Sequence, residues 1–345
     1  MNTHKPLLCY DDIIFALQRH GGISAYWGKV TIVVAELAEK FDVQRTGKGG
    51  ALKYLRRYLP IFTLARVFHS SYFRFNLNPF TQNVVTIYDF MYELGYLKTK
   101  GALINILQKK AAIWQADVII CISENTKQDL LKIYPNLCRG KKIEVIYLDS
   151  ALSNVPDVYS DNFNLEEVIG DSPYILFVGK RSSYKNFDLL AEAFSESILS
   201  EQNFKLFCVG DSFSEGEQKR LFDLGILDQV VSFQNVDDVG LKLLYSKAFA
   251  LIYPSLYEGF GVPLLEAMKC GCPVVASNTS SIPEVVKNAG ILVNPKDYNS
   301  IRIALEKLLT PSVRENYIQL GYQRAKDFSW DKTVQQHMAI YESLI

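Results

Sequence analysis

Residues 257–277 read YEGFGVPLLEAMKCGCPVVAS. An apolar run at 248–253 (AFALIY) precedes them and has the length and composition of a buried strand. Gly259 and Gly261 then open the chain to conformations and close approaches that a side chain would block. Pro263 suits the first position of a helix, and Gly271 suits the position just past its end, so 263–270 is expected to be helical. The segment 272–277 (CPVVAS) is a second strand, and Pro283 starts a further short helix over 283–287. Strand, short loop, helix and strand again, at this spacing, describe a parallel sheet with helices on its faces.

The same rhythm extends in both directions. Upstream, 174–178 (YILFV) is a strand ending at Gly179, 188–199 a helix, 204–209 a strand ending at Gly210, 230–233 a strand and 238–247 a helix. Residues 149–172, with Pro156, Asp157, Asp161 and Gly170, break the pattern and form the candidate linker. Before it, 23–41 has helical spacing, while 83–87 (NVVTI), 116–122 (ADVIICI) and 143–147 (IEVIY) are strands. Ser123 is placed to cap the helix that begins at 124. The fold class is therefore α/β, with two doubly wound, Rossmann-like domains, one over 1–150 and one over 151–329.

The chain has 345 residues, 48% of them apolar and 21% charged, with zero formal net charge. That is a globular composition of two-domain length. The halves differ: residues 1–150 carry about 20 Lys and Arg against about 12 Asp and Glu, roughly +8, and the remainder is roughly −8. Either the domains have simply drifted, or the basic half meets an anion such as a membrane surface or a lipid-linked phosphate. Six cysteines include no C-x-x-C pair and only four histidines occur, so zinc-ligand spacing is absent. No signal-peptide layout and no run of about 18 apolar residues is present, and a cytoplasmic chain is expected. No nucleic-acid partner is expected.

Ligands of open parallel sheets bind beyond the carboxyl ends of the strands. Several segments hold chemistry-bearing residues. In 257–271, a helix N-terminus would aim amides at a ligand, Glu258 sits before the helix and Glu266 lies further along it. Carboxylates there can accept paired sugar hydroxyls, although two glutamates eight residues apart also occur by chance. In 179–186 (GKRSSYKN), Gly179 would let the turn lie against a phosphate, with Lys180, Arg181 and Lys185 as cations; a solvated basic turn has the same pattern. The glycine pair Gly21-Gly22 precedes the first long helix and suits an anion or a tight turn. His69, Tyr88 and Asp89 follow apolar runs and are candidates for the acceptor or sugar side, or for structural hydrogen bonding. Residues 52–66 (LKYLRRYLPIFTLAR) mix cations with Leu and Tyr as an interfacial segment does, interrupted by Pro60, and a second basic stretch spans 98–110. No Asp-x-Asp pair exists to hold a divalent ion on a diphosphate, so no metal is expected.

Residues 258–285 (EGFGVPLLEAMKCGCPVVASNTSSIPEV) resemble the E-x7-E region of glycosyltransferase family 4, the retaining group with the GT-B fold. Weaker resemblances cover most of the chain: GGIS at 21–24, FHSSYFR at 68–74, VTIYDFMYE at 85–93, ISENTKQDL at 122–130, VGKRSSYKN at 178–186 and FSWDKT at 328–333. The resemblance implies two domains facing a central cleft, with a C-terminal helix, 330–345, returning to the first. It implies a GDP- or UDP-linked sugar donor and a glycan or lipid-linked acceptor, as in bacterial surface-polysaccharide assembly, often with mannose. It implies that Glu266 holds the ribose hydroxyls, that Glu258 with the amides around Phe260 and Gly261 holds the sugar, and that Lys185 with Lys180 or Arg181 neutralises the diphosphate. Peripheral contact with the inner membrane face would suit the basic half. The chain departs from the family pattern at Tyr88, where His is frequent, at Tyr184, where Arg is usual, and at Asn235, where Gly is common. Arg181 is the substitute for the missing arginine. A non-catalytic nucleotide-sugar binder is the alternative function; a nicotinamide dehydrogenase would need a glycine fingerprint that is missing.

Overall fold

The computed structural model describes residues 5–18, 22–32, 40–46, 53–150, 152, 172–181 and 183–345. Gly21, Ser182, Leu52, residues 33–39 of the expected helix 23–41, and most of the expected linker lie outside them. The chain divides into two compact units, Met1–Leu148 with Ser329–Ile345, and Asp149–Phe328.

Among the described residues, twelve strands form two six-stranded sheets. The first holds β1 (Leu7–Asp11), β2 (Asp42–Thr46), β3 (Val67–Ser70), β4 (Gln82–Ile87), β5 (Val118–Cys121) and β6 (Lys142–Val145), in the order β2-β1-β3-β4-β5-β6. The second holds β7 (Tyr174–Val178), β8 (Lys205–Val209), β9 (Val230–Phe233), β10 (Ala250–Tyr253), β11 (Val274–Ser277) and β12 (Ile291–Val293), in the order β12-β11-β10-β7-β8-β9. Every paired neighbour is parallel. Strands β3, β5, β7, β10 and β11 are buried along their whole length, as expected of strands covered on both faces. That is why β5, β7 and β10 read as continuous apolar runs rather than alternating ones.

The second sheet starts at β7, grows through β8 and β9 to one edge, then returns to the other side of β7 with β10. This is the doubly wound dinucleotide-fold order, and its direction reverses between β7 and β10. In the first sheet the reversal lies between β1 and β3. Crevices form at such reversals because the connections leave β7 and β10 toward opposite faces of the sheet.

Helix ends follow local chemistry. Ser123 accepts a hydrogen bond from the Thr126 amide at 3.0 Å, as its position predicts. Ser214 and Glu217 form a reciprocal capping box on the helix Glu215–Asp223. The stretch 52–66, interrupted at Pro60, is helical among the described residues at Lys53–Arg56, and after Pro60 the chain runs extended, with an isolated bridge from Ile61 to Asn76. The expected helix 188–199 divides into Phe187–Ser195 and Ile198–Glu201. No helix among the described residues is long and apolar enough to cross a membrane.

Candidate functional site

The loops after β7 and β10 leave the sheet on either side of its reversal. Gly179, directly after β7, has φ +126, and its amide donates to the Val209 carbonyl at 2.9 Å. The turn Ser183–Lys185 then brings the Lys185 ammonium back toward Gly179: a Cβ placed on that glycine would lie 3.9 Å from Lys185 Nζ. Lys185 Nζ donates to Glu258 Oε1 at 2.6 Å and to the Tyr253 hydroxyl at 3.1 Å. Tyr253 ends β10 and Glu258 belongs to the loop that follows, so this one lysine ties the two sides of the reversal together. Burial alone would pull its ammonium down, but the neighbouring Glu258 carboxylate outweighs that and holds it above the usual lysine range. Lys185 is therefore cationic at every physiological pH.

Loop 257–261 is held from behind. Ser280 Oγ accepts from the Glu258 amide at 2.9 Å, and Ser281 Oγ donates to the carbonyls of Glu258 and Phe260, each at 2.9 Å. Phe260 is buried and meets Phe328 edge to face. Gly261, with φ +107, starts the helix Val262–Lys269; a Cβ there would come within 2.8 Å of Leu264 Cδ1, so glycine is required on two counts. Glu266 lies on this helix, 8% exposed. Its Oε2 accepts from the Tyr245 hydroxyl at 3.0 Å, and among the described residues Oε1 has no hydrogen-bond partner. Burial raises the Glu266 carboxyl from 4.5 to about 7; the Tyr245 bond opposes the rise and Asp238 adds to it.

Arg181 stands apart from Lys185. Its Nε is 2.7 Å from Glu217 Oε1, Nη2 donates to the carbonyls of Asp211 and Ser212, and the guanidinium lies over Phe213. Among the described residues its buried Nη1 makes no hydrogen bond, and it lies beside Gly210. The guanidinium thus binds the loop after β8 to the loop after β7. Lys180 is exposed, and Gly22 opens the helix Gly22–Ile32.

In the first unit, His69 is completely buried. Nδ1 meets the Tyr341 hydroxyl at 2.6 Å and Nε2 meets the Thr86 hydroxyl at 2.9 Å, so both ring nitrogens are used inside the unit. Tyr88 is also buried; its hydroxyl donates to the Ser71 carbonyl at 3.1 Å and takes the Trp27 indole N–H. The structural hydrogen-bonding reading of His69 and Tyr88 fits these contacts. Asp89 is partly exposed, with one carboxylate oxygen on the Met91 amide at 3.1 Å. His69 and Tyr88 belong to a buried aromatic cluster with Tyr10, Tyr26, Trp27, His337 and Tyr341. Within it, the Tyr26 hydroxyl meets His337 Nε2 at 2.6 Å. His337 and Tyr341 come from the final helix, Trp330–Glu342, which this cluster fastens to the first unit.

Sequence reasoning missed Asp11 and Asp12. They follow the apolar LLCY of β1 and look like the polar end of a short segment, yet both are buried. Asp11 pairs with Arg74 at 3.0 Å and Asp12 with Arg45 at 2.7 Å, at the reversal of the first sheet. Burial raises Asp11 to about 6 despite Arg74. Paired acids directly after a strand were the available signal. Among the described residues, no group of three or more His, Cys, Asp or Glu side chains is arranged to hold a metal ion.

Residues 160–324, which hold both loops and Glu266, match a family model described as glycosyl transferases group 1. O-antigen chain mannosyltransferase B of Escherichia coli is 35% identical over 176 residues, covering 50% of this chain and 46% of that protein. The chain spans about half the length of the curated relatives it matches. Sucrose-phosphate synthase (tll1590) from Thermosynechococcus elongatus superposes with a TM-score of 0.74 at 19% identity, covering 99% of each chain. Anabaena Alr3699/HepE, solved in complex with UDP-glucose, gives 0.68 at 17% identity over 98% of this chain and 99% of that one. The chain thus has the fold of the GT-B glycosyltransferases, two parallel α/β units, and its second unit carries the group 1 sequence pattern.

Proposed function

We propose that this protein is a retaining glycosyltransferase. It moves a hexose, mannose by the relatives, from a nucleotide-diphosphate sugar to a glycan or lipid-linked acceptor in bacterial surface-polysaccharide synthesis. The observation that carries the reading is the Lys185–Glu258 pair at the β7/β10 reversal, 2.6 Å apart, beside Gly179 and ahead of a glycine-started helix. A diphosphate needs fixed positive charge, and sugar hydroxyls need fixed acceptors; this loop pair supplies both within one buried patch.

In this reading Lys185 compensates the charge that develops on the diphosphate as the anomeric carbon–oxygen bond breaks, and the acceptor hydroxyl attacks from the face the nucleotide leaves. Glu258 and the backbone around Phe260 and Gly261 orient the sugar. Glu266 accepts from the ribose hydroxyls. Arg181 supports the Gly179–Gly210 turn and directs Nη1 toward it, with exposed Lys180 adding charge at its edge. The Gly22 helix and Asp89 belong to the acceptor-side unit. No metal is invoked, because Lys185 provides the cation. In this reading the reaction takes place at the cytoplasmic face of the inner membrane.

The test is a donor panel. Purified protein is mixed with UDP- and GDP-linked sugars and followed by thermal stabilisation and by slow release of free sugar. Stabilisation by one nucleotide series together with release supports the transferase. Stabilisation without release in the presence or absence of acceptor turns the reading into a non-catalytic binder, and no response to any donor rejects the site.

A further inference from the structure

The helix Ala102–Gln115 buries two polar side chains beside apolar Ala112 and Ile113: Asn105, which accepts from Arg57 Nη2 at 2.7 Å, and Lys109, which is paired with Glu93 at 3.0 Å. Its outward face carries Leu103, Leu107 and Trp114, 66%, 56% and 64% exposed, at positions that share one stripe with Lys110. Neighbouring segments of the same unit add to the exposed apolar surface. Arg57 joins the helix through its side chain to Asn105. Arg74 donates to the Leu59 carbonyl, and the Leu77 amide donates to Ile61. There the extended chain alternates, burying Thr63 and Ala65 and turning out Phe62 and Leu64, at 70% and 79% exposure; Phe80, close by, is 80% exposed.

The charges interleaved with these side chains have one sign. Between residues 55 and 116 the only acids are Asp89 and Glu93. Both are only partly exposed, and Glu93 is neutralised by Lys109. Arg56, Arg66, Lys98, Lys100 and Lys110 are exposed. Large apolar side chains exposed together in this number mark an interaction site. Large apolar side chains set among a clear excess of exposed cations, with Asp117 an exposed acid past the helix end, match the boundary of an anionic bilayer, where the apolar groups enter the headgroup layer and the lysines meet lipid phosphates.

We infer that this face of the first unit, built from the outward stripe of Ala102–Gln115 and the apolar edge at 59–80, docks the protein on anionic phospholipid. The inference deepens the peripheral-membrane part of the proposed function and is independent of the nucleotide used. The full chain is sedimented with vesicles of phosphatidylcholine alone and of phosphatidylcholine with about one third phosphatidylglycerol, at about 0.1 M salt. Binding to the anionic vesicles is expected, at least about tenfold stronger than to the neutral ones. Leu103→Ser with Leu107→Ser, and separately Lys98→Glu with Lys100→Glu and Lys110→Glu, are each expected to lower partitioning about tenfold or more. All five side chains point outward, so the thermal midpoint and donor-induced stabilisation should hold in both variants. Equal binding to both vesicle types, no binding to either, or no change in the variants overturns the inference. So does a concentration-dependent dimer that is lost in the leucine variant, because a second copy would then cover the face. Loss of the donor response in the wild-type protein with vesicle binding intact would strike only the transferase reading.

Discussion

The raised carboxyl of Glu266 moves the pH dependence of donor affinity into the physiological range. Burial holds this group at about 7 rather than 4.5. Only the ionised form is acceptor-only at both oxygens and suited to two ribose hydroxyls. If the anion is the binding form, the ionised fraction rises from about 0.09 at pH 6 to about 0.9 at pH 8, and the association constant should rise about tenfold over that range. The measurement is calorimetric titration with an intact nucleotide sugar, whose diester phosphates do not titrate in this window. Glu266→Gln should bind about tenfold or more weakly at pH 8, from loss of a charged hydrogen bond of about 1.5–3 kcal/mol, and its affinity should be flat from pH 6 to 8. Tyr245→Phe removes the 3.0 Å bond that favours the anion and should move the profile about one unit higher. The stability sign is equally specific. A carboxyl raised in the fold contributes stability that is complete below 4.5 and lost as pH rises through about 7, about 3 kcal/mol in all. A wild-type affinity that is flat with pH, or a pH dependence that survives in Glu266→Gln, would refute the assignment.

Three further outcomes are expected. Lys185→Ala should weaken donor use about tenfold or more and also lower the thermal midpoint, because Glu258 is left buried without its cation at a cost of about 3–5 kcal/mol; unchanged donor kinetics with an intact fold would remove Lys185 from the site. EDTA should leave transfer intact, and a complete loss restored by magnesium would show that a metal shares the diphosphate. Burial lowers His337 from 6.5 to about 4, so its contribution to stability is present above 6.5 and lost as pH falls through about 4, about 3 kcal/mol in all. Acid should therefore loosen the final helix, with His69 acting in the same direction, and His337→Gln should flatten the wild-type loss of melting temperature across that window; an equally steep loss in the variant would place the acid sensitivity elsewhere.

The two α/β units were legible because the sequence marks them locally. Strands such as 174–178 and 248–253 are unbroken apolar runs, since a strand covered on both faces needs apolar side chains in both directions. Pro263 and Ser123 announce helix starts through backbone geometry that does not depend on the rest of the chain. Edge elements were less visible. β2 (DVQRT) has little buried surface, and its pairing with β1 provides what its composition does not. Helix Ala102–Gln115 carries Leu103, Leu107 and Trp114 outward while burying Asn105 and Lys109, so its apolar positions alone do not mark the core face.

Local chemistry along the chain thus fixed the parallel α/β class, the glycines of the turns at 179 and 261, and the presence of cations and carboxylates in two strand-end loops. Strand order did not follow from it, because any of several orders satisfies the same apolar pattern. The tertiary structure set β7 beside β10, and only that adjacency brings Lys185 within 2.6 Å of Glu258, 73 residues away. It likewise turned His69 inward to Tyr341 and gave Glu266 a burial that moves its proton affinity into the physiological range. Pairing and desolvation are sums over neighbours distant in sequence, so they exist only once the chain has folded.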